Sequence, residues 1–186
     1  MTNSAEDLVV RELEKFQLRC ERFSKDERRN RKTPDYRVYK DDTLAFFCEV
    51  KEIEKDTWLN GVRADPIFNR IADDVHTAVK QFDAVNSALD YPNVMALVNN
   101  DDTCGCLDLI GVITGHLLID NGKSAPIYQK YSEGRIKDDK SRIHLYLWFD
   151  AFKENKFLFN AGDIRQRDKL CEYFGINRED IKLISV

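Results

Sequence analysis

The stretch from Lys32 to Ile53 constrains the chain most, because it reads as two strands joined by a tight polar turn. Tyr36, Val38 and Tyr39 have strand character, Asp41-Asp42 supplies turn chemistry, and Leu44 to Ile53 is a longer apolar strand. Three charged residues interrupt this pattern: Asp35 directly after Pro34, then Glu49 and Lys51 two positions apart. Side chains alternate along a strand, so Glu49 and Lys51 share one side while Phe46, Cys48 and Val50 take the other. A hairpin register brings Asp35 beside them, converging two carboxylates and an ammonium at one sheet edge. Two carboxylates can hold a hard divalent cation such as Mg²⁺ through oxygen. A lysine beside it can activate water or offset charge on a phosphate.

Pro34-Asp35 followed by Glu49-Val50-Lys51, with thirteen residues between Asp35 and Glu49, resembles the signature of the PD-(D/E)XK nuclease superfamily. That resemblance implies a restriction-endonuclease-like α/β fold: a central mixed β-sheet flanked by helices, in αβββαβ-type order. It also implies Mg²⁺-dependent phosphodiester hydrolysis, with Mn²⁺ able to substitute. Asp35, Glu49 and the Val50 carbonyl would be the metal ligands and Lys51 the catalytic lysine. A glutamate from the preceding helix often joins such sites, and Glu12 is the matching position. Gln81, late in the next helix, is the matching glutamine.

Charge distribution agrees with a phosphate-bearing partner. The whole chain carries −4, yet Arg19 to Lys40 holds nine basic residues against four acids. Positive charge therefore gathers just upstream of the proposed site. Arg28, Arg29, Arg31, Lys32 and Arg37, with Arg63 and Lys80 further on, are the expected nucleic-acid contacts, most plausibly to DNA. A solvated helix end would have a similar composition. Trp58 fits either base stacking or cover of the core edge.

Flanking elements follow from periodicity and punctuation. Ser4 to about Phe23 reads as an amphipathic helix with Leu8, Val9, Leu13, Phe16, Cys20 and Phe23 on its buried stripe. Glu12 falls within that stripe, and its alternative role is a rim carboxylate paired with Arg19 or another base. Lys25 to Arg31 reads as a basic surface loop or frayed helix end. Asp65-Pro66 starts a second helix with Ile71, Val75, Ala78, Phe82 and Val85 buried, and Asn93 to Val98 is a buried central strand. Leu107 to Ile119 fits helix or strand, and Asp120 to Arg142 an exposed excursion. Ile143 to Phe149 pairs with Lys156 to Phe159; Asp163 to Phe174 is a helix closed by Gly175; Ile181 to Val186 adds a last strand.

At 186 residues, with no internal repeat or linker, the chain reads as one domain spanning 1–186. The catalytic core covers about 4–100, and strands and a helix in 101–186 complete the fold. No apolar run approaches a membrane span, and the N-terminus lacks a secretory pattern, so the sequence reads as a cytoplasmic protein. Five scattered cysteines are no disulfide framework, and Cys104-Gly105-Cys106 lacks the partners of a zinc site. His76 reads as a surface or satisfied histidine. Phosphate-loop, dinucleotide and serine-hydrolase motifs are absent. The reading is a DNA endonuclease of restriction, repair or phage-defence type, and cutting both strands would suit a homodimer. The competing expectations are an inactive nucleic-acid-binding or assembly module on the same fold, and an acidic protein-interaction domain.

Overall fold

The computed structural model describes residues 4–55, 58–59, 62–63, 67–118, 123–127, 136, 138–150, 155–181 and 183–184. Helix α1 (Ala5–Glu14) starts at Ser4, whose hydroxyl accepts from the Asp7 N–H while the Asp7 carboxylate accepts from the Ser4 N–H. This reciprocal cap satisfies donors that the first turn would leave open. The helix does not continue to Phe23. Gln17 takes the left-handed conformation at φ 60°, and Arg19–Arg22 forms strand β1 instead. The apolar spacing misled because its members face different layers: Phe16 packs on Phe174, whereas Phe23 stacks on Phe47. One helical stripe cannot serve both faces of a sheet.

The stretch read as a basic connector contains a short helix, α2 (Lys25–Asn30), capped by Ser24 and Glu27. The hairpin then forms as its residues predict, with β2 (Tyr36–Lys40) antiparallel to β3 (Thr43–Ile53). Asp41 and Asp42 both adopt positive φ, the turn geometry that matches strand twist. After the short pair β4 (Trp58–Leu59) and β5 (Val62–Arg63), helix α3 (Ile67–Asn86) crosses to β6 (Asn93–Asn99), which lies parallel to β3. The expected Asp65-Pro66 helix start lies outside the described residues.

The segment open to either reading resolves into α4 (Cys106–Thr114) followed by β7 (His116–Leu118), divided at Gly115 with φ 75°. Within the expected excursion, β8 (Ser124–Pro126) pairs with β7, and Asp139–Arg142 forms a 3₁₀ turn. Strands β9 (Leu145–Asp150) and β10 (Lys156–Asn160) pair antiparallel. Helix α5 (Ile164–Phe174) ends at Gly175 with φ 62°, and β11 (Leu183–Ile184) joins β10.

Seven strands form one mixed sheet in the order β1-β2-β3-β6-β9-β10-β11. Central strands alternate between two cores. Met95, Leu97, Tyr146 and Trp148 meet α3 and α4, while Val94, Ala96, Leu145 and Leu147 meet α1 and α5. Every residue of β6 is buried, as a strand covered on both faces requires. The molecule is thus an α/β protein with a mixed sheet flanked by helices. Among the described residues, no helix is long and apolar enough to cross a membrane.

A polar network closes the sheet where β6 and β9 begin. The Asn93 N–H donates to His144 Nδ1 at 2.9 Å, and Asn160 Nδ2 donates to the Lys140 and Ile143 carbonyls at 2.8 and 3.0 Å. His144 is 2% exposed, and burial pulls its pKa down to about 4. The neutral ring is therefore favoured in the folded state. Its stabilisation is complete above about pH 6.5 and is lost as pH falls toward about 4, with an amplitude on the order of 3 kcal/mol. Chemical denaturation of wild type and His144→Asn across that window should diverge in slope. The variant, which keeps an acceptor for Asn93, will show the shallower acid loss.

Candidate active site

The site forms where β2 runs out beside β3. Tyr36 opposite Cys48 is the last ladder pair at that end, so the next backbone groups need side-chain partners. The Val50 N–H donates to Asp35 Oδ2 at 2.8 Å, and the Asp35 N–H donates to Glu49 Oε2 at 3.0 Å. Two carboxylates thus continue the hairpin in place of main-chain pairing. Lys51 Nζ donates to Glu49 Oε1 at 2.5 Å. Phe46, Cys48 and Val50 enter the α1/α5 core, whereas Phe47 and Ile53, flanking Glu49 and Lys51, enter the α3/α4 core. The alternation expected of β3 therefore brings Asp35, Glu49 and Lys51 together.

Burial governs the electrostatics. Glu49 is 2% exposed, and burial followed by the Asp35 charge pushes its carboxyl up to about 7, against the opposing pull of Lys51. Burial also raises Asp35; the Val50 N–H counters it and the Glu6 charge adds to it. One ammonium beside the buried Glu49 and the half-buried Asp35 leaves negative charge uncompensated. That donor set suits a hard divalent cation, since its free atoms are oxygens. Val50 presents its carbonyl to the same lateral side as its N–H, as a strand residue must, and so toward Asp35. Among the described residues, no group of three His, Cys, Asp or Glu side chains is arranged to hold a metal. The oxygen set here is two carboxylates and a backbone carbonyl.

Helix α3 lines the other side. Gln81 Nε2 donates to the Thr33 carbonyl at 2.9 Å, and the amide also stabilises the charged Glu49 carboxylate. Gln81 Oε1 is buried with no hydrogen-bond partner among the described residues. Two turns earlier, burial pushes Asp74 up to about 6, with Lys51 and then Arg70 opposing. Arg70 anchors the helix to β3 by donating to the Glu54 and Glu52 carbonyls at 3.1 and 3.2 Å. Asp74 escaped sequence reasoning because an acid on an otherwise amphipathic helix looks solvated. Its spacing of seven from Gln81 was the available signal.

Glu12 is not brought to this cluster. It pairs with Lys15 at 2.7 Å and borders a small cavity lined by Phe16, Phe157 and Phe174. Pairing with a base was the right alternative, although the base is Lys15 and not Arg19. The α1 carboxylate whose charge reaches Asp35 is Glu6, which also accepts from the Tyr36 hydroxyl at 3.2 Å and pairs with Arg22. The expected stripe points to the helix middle, whereas the strands carrying Asp35 and Glu49 meet its first turn. His76 is bound to Asp139 at 2.7 Å, and none of the five cysteines is in a disulfide. Burial raises the Cys106 thiol to about 11, so it is not poised as a thiolate.

The basic residues divide. Arg28, Arg29, Lys32 and Lys80 are exposed and have no ion-pair partner among the described residues. Arg31 donates to the Ala84 carbonyl at 3.3 Å. Arg37 is structural: it pairs with Glu27 and lies 3.8 Å over the Phe23 ring. The expected roles of the Arg63 and Trp58 side chains fall outside the described residues. Replacing Arg37 by Ala uncovers Phe23 and releases Glu27, so the denaturation midpoint should fall by about 1–2 kcal/mol equivalent. Comparison with protein-family models, with curated proteins and with solved structures finds no match for this chain.

Proposed function

We propose that this chain is a divalent-cation-dependent nuclease that hydrolyses phosphodiester bonds in DNA. The observation that carries the reading is the enclosed Asp35–Glu49 pair, cross-linked to β3 and held against Lys51. A protein that only binds nucleic acid gains nothing from burying Glu49 against the half-buried Asp35, because such an arrangement costs stability unless a cation offsets it. The element order supports a restriction-endonuclease-like core: α1, the β1-β2-β3 meander, α3 crossing over, and β6 parallel to β3.

Asp35, Glu49 and the Val50 carbonyl would hold Mg²⁺ or Mn²⁺. When bound, the ion supplies positive charge to the phosphoryl oxygens and lowers the pKa of water. The chain's own groups do the rest. The Lys51 ammonium, oriented by Glu49 Oε1, donates to the attacking water and balances charge on the phosphorus centre, while the proton shed by that water passes to solvent. Gln81 steadies Glu49 and offers Oε1 as an acceptor that aims the water. Glu6 keeps Asp35 in a strongly anionic surrounding. Water adds to phosphorus and the 3′-oxygen leaves with a proton, giving a 3′-hydroxyl and a 5′-phosphate. Cutting both strands would call for a second copy of the chain or two successive nicks.

Supercoiled plasmid nicking with Mg²⁺ or Mn²⁺ tests this. Asp35→Asn and Lys51→Ala should each lose at least about 10²-fold in rate, while Glu12→Gln stays close to wild type. Binding of DNA without any metal-dependent nicking, unchanged by both substitutions, would sink the reading and leave an inactive binding module on the same fold.

A further inference from the structure

The hydrolytic cluster does not stand alone. Beside it lies a groove of about 350 Å³ lined by Arg28, Arg31, Lys32, Thr33, Thr77 and Gln81. One wall is the end of α2 with the chain that follows it; the other is α3. Gln81 belongs to both places, since its amide lines the groove and supports Glu49. Gln81 therefore stands between the groove and the carboxylate pair.

Its walls are firmly tied to the fold. Ser24 and Glu27 cap α2, and Glu27 receives Arg37, which in turn covers Phe23. Across the groove, Arg31 Nη1 reaches the Ala84 carbonyl and Gln81 Nε2 the Thr33 carbonyl. Helix α2 lies between β1 and β2, outside the order of strands that builds the catalytic hairpin. It adds the basic wall.

The lining is chemically one-sided. It contains three cations, two hydroxyls and one amide, with no carboxylate and no aromatic ring. Arg28 and Lys32 are exposed and have no partner among the described residues. Cations and hydroxyls without a ring match phosphate oxygens, whereas reading unpaired bases calls for stacking platforms.

We infer that this α2–α3 groove binds the sugar-phosphate backbone of the polynucleotide strand flanking the scissile bond, and does so independently of base sequence. The inference rests on the nuclease reading for the word "scissile"; the anion-binding geometry stands by itself. Arg28 and Lys32 supply the mobile charges, Arg31 a fixed one, and the threonine hydroxyls the short-range contacts. Gln81 then passes the backbone to Glu49 and Asp35.

The test is binding of labelled DNA strands and duplexes of several sequences to the full chain in chelator, titrated from about 50 to 200 mM salt. The double substitution Arg28→Ala with Lys32→Ala should weaken binding about tenfold or more at the low-salt end. It should also make the slope of log K against log salt shallower by about 1.5, equally for every sequence. Thr77→Glu, an exposed change with little reason to disturb folding, should weaken binding as well. Arg165→Ala with Lys169→Ala removes the same charge from α5, on the opposite layer, and should leave the slope in place. An unaltered slope in the groove variant, an equal change in the α5 variant, or sequence-dependent losses would overturn the inference. The two readings fail separately. Loss of the nuclease reading alone removes metal-dependent nicking and keeps this salt signature, while loss of the groove alone leaves the double variant nicking with wild-type KM.

Discussion

Everything at the site depends on how the β2–β3 ladder ends. A hairpin normally continues by exchanging main-chain hydrogen bonds, but here the partner strand turns away at Pro34 and leaves β3 donors to be met otherwise. Asp35 answers with its carboxylate to the Val50 N–H, and Glu49 answers with its own to the Asp35 N–H. Each carboxylate is oriented by the other strand's backbone. Their separation is therefore set by sheet geometry and not by flexible side-chain torsions, the kind of rigidity the proposed chemistry needs. Lys51, two residues on, is delivered by the same pleat.

Holding two acids in a buried place is costly, and the surrounding structure shows where the cost is met. Phe47 and Ile53 bracket the cluster in one fully packed core, while Phe46, Cys48 and Val50 anchor β3 in the other. A strand fixed on both faces, paired with β2 on one edge and β6 on the other, cannot relax to separate its charges. The raised Glu49 carboxyl records the remaining strain as an appetite for protons or for a cation. Arg70 performs a related task, clamping α3 so that Asp74 and Gln81 keep to the same side.

Basic residues that look alike in the sequence have separate duties. Arg37 is spent on Glu27 and on covering Phe23, which fastens α2 to the sheet. Arg28, on α2, and Lys32, in the chain that follows it, remain open to solvent beside the groove. One cation builds the wall on which the others are displayed. Charge counting along residues 19–40 cannot separate these roles, because the difference lies in which side chain meets Glu27 across the gap between β2 and α2.

The hairpin, its polar turn, the crossover helix, the buried β6 and the Gly175 stop were all legible in residue order, since each rests on local rules: alternation, turn chemistry and capping. So was the trio Asp35, Glu49 and Lys51, whose meeting needs only a two-stranded register. What the chain order concealed were facts about layers. Phe16 and Phe23 share a helical spacing yet lie on opposite faces of the sheet, so the first helix was read too long and β1 was missed. For the same reason periodicity points to Glu12 and not Glu6: which turn of α1 passes the β2–β3 hairpin is fixed by docking against the sheet and α5, and no spacing encodes it. Asp74 and the groove likewise exist only once α3 is laid across β3. Local sequence determined the elements and the reactive trio through short-range sterics and hydrogen bonding; long-range packing decided which distant acids and bases surround them.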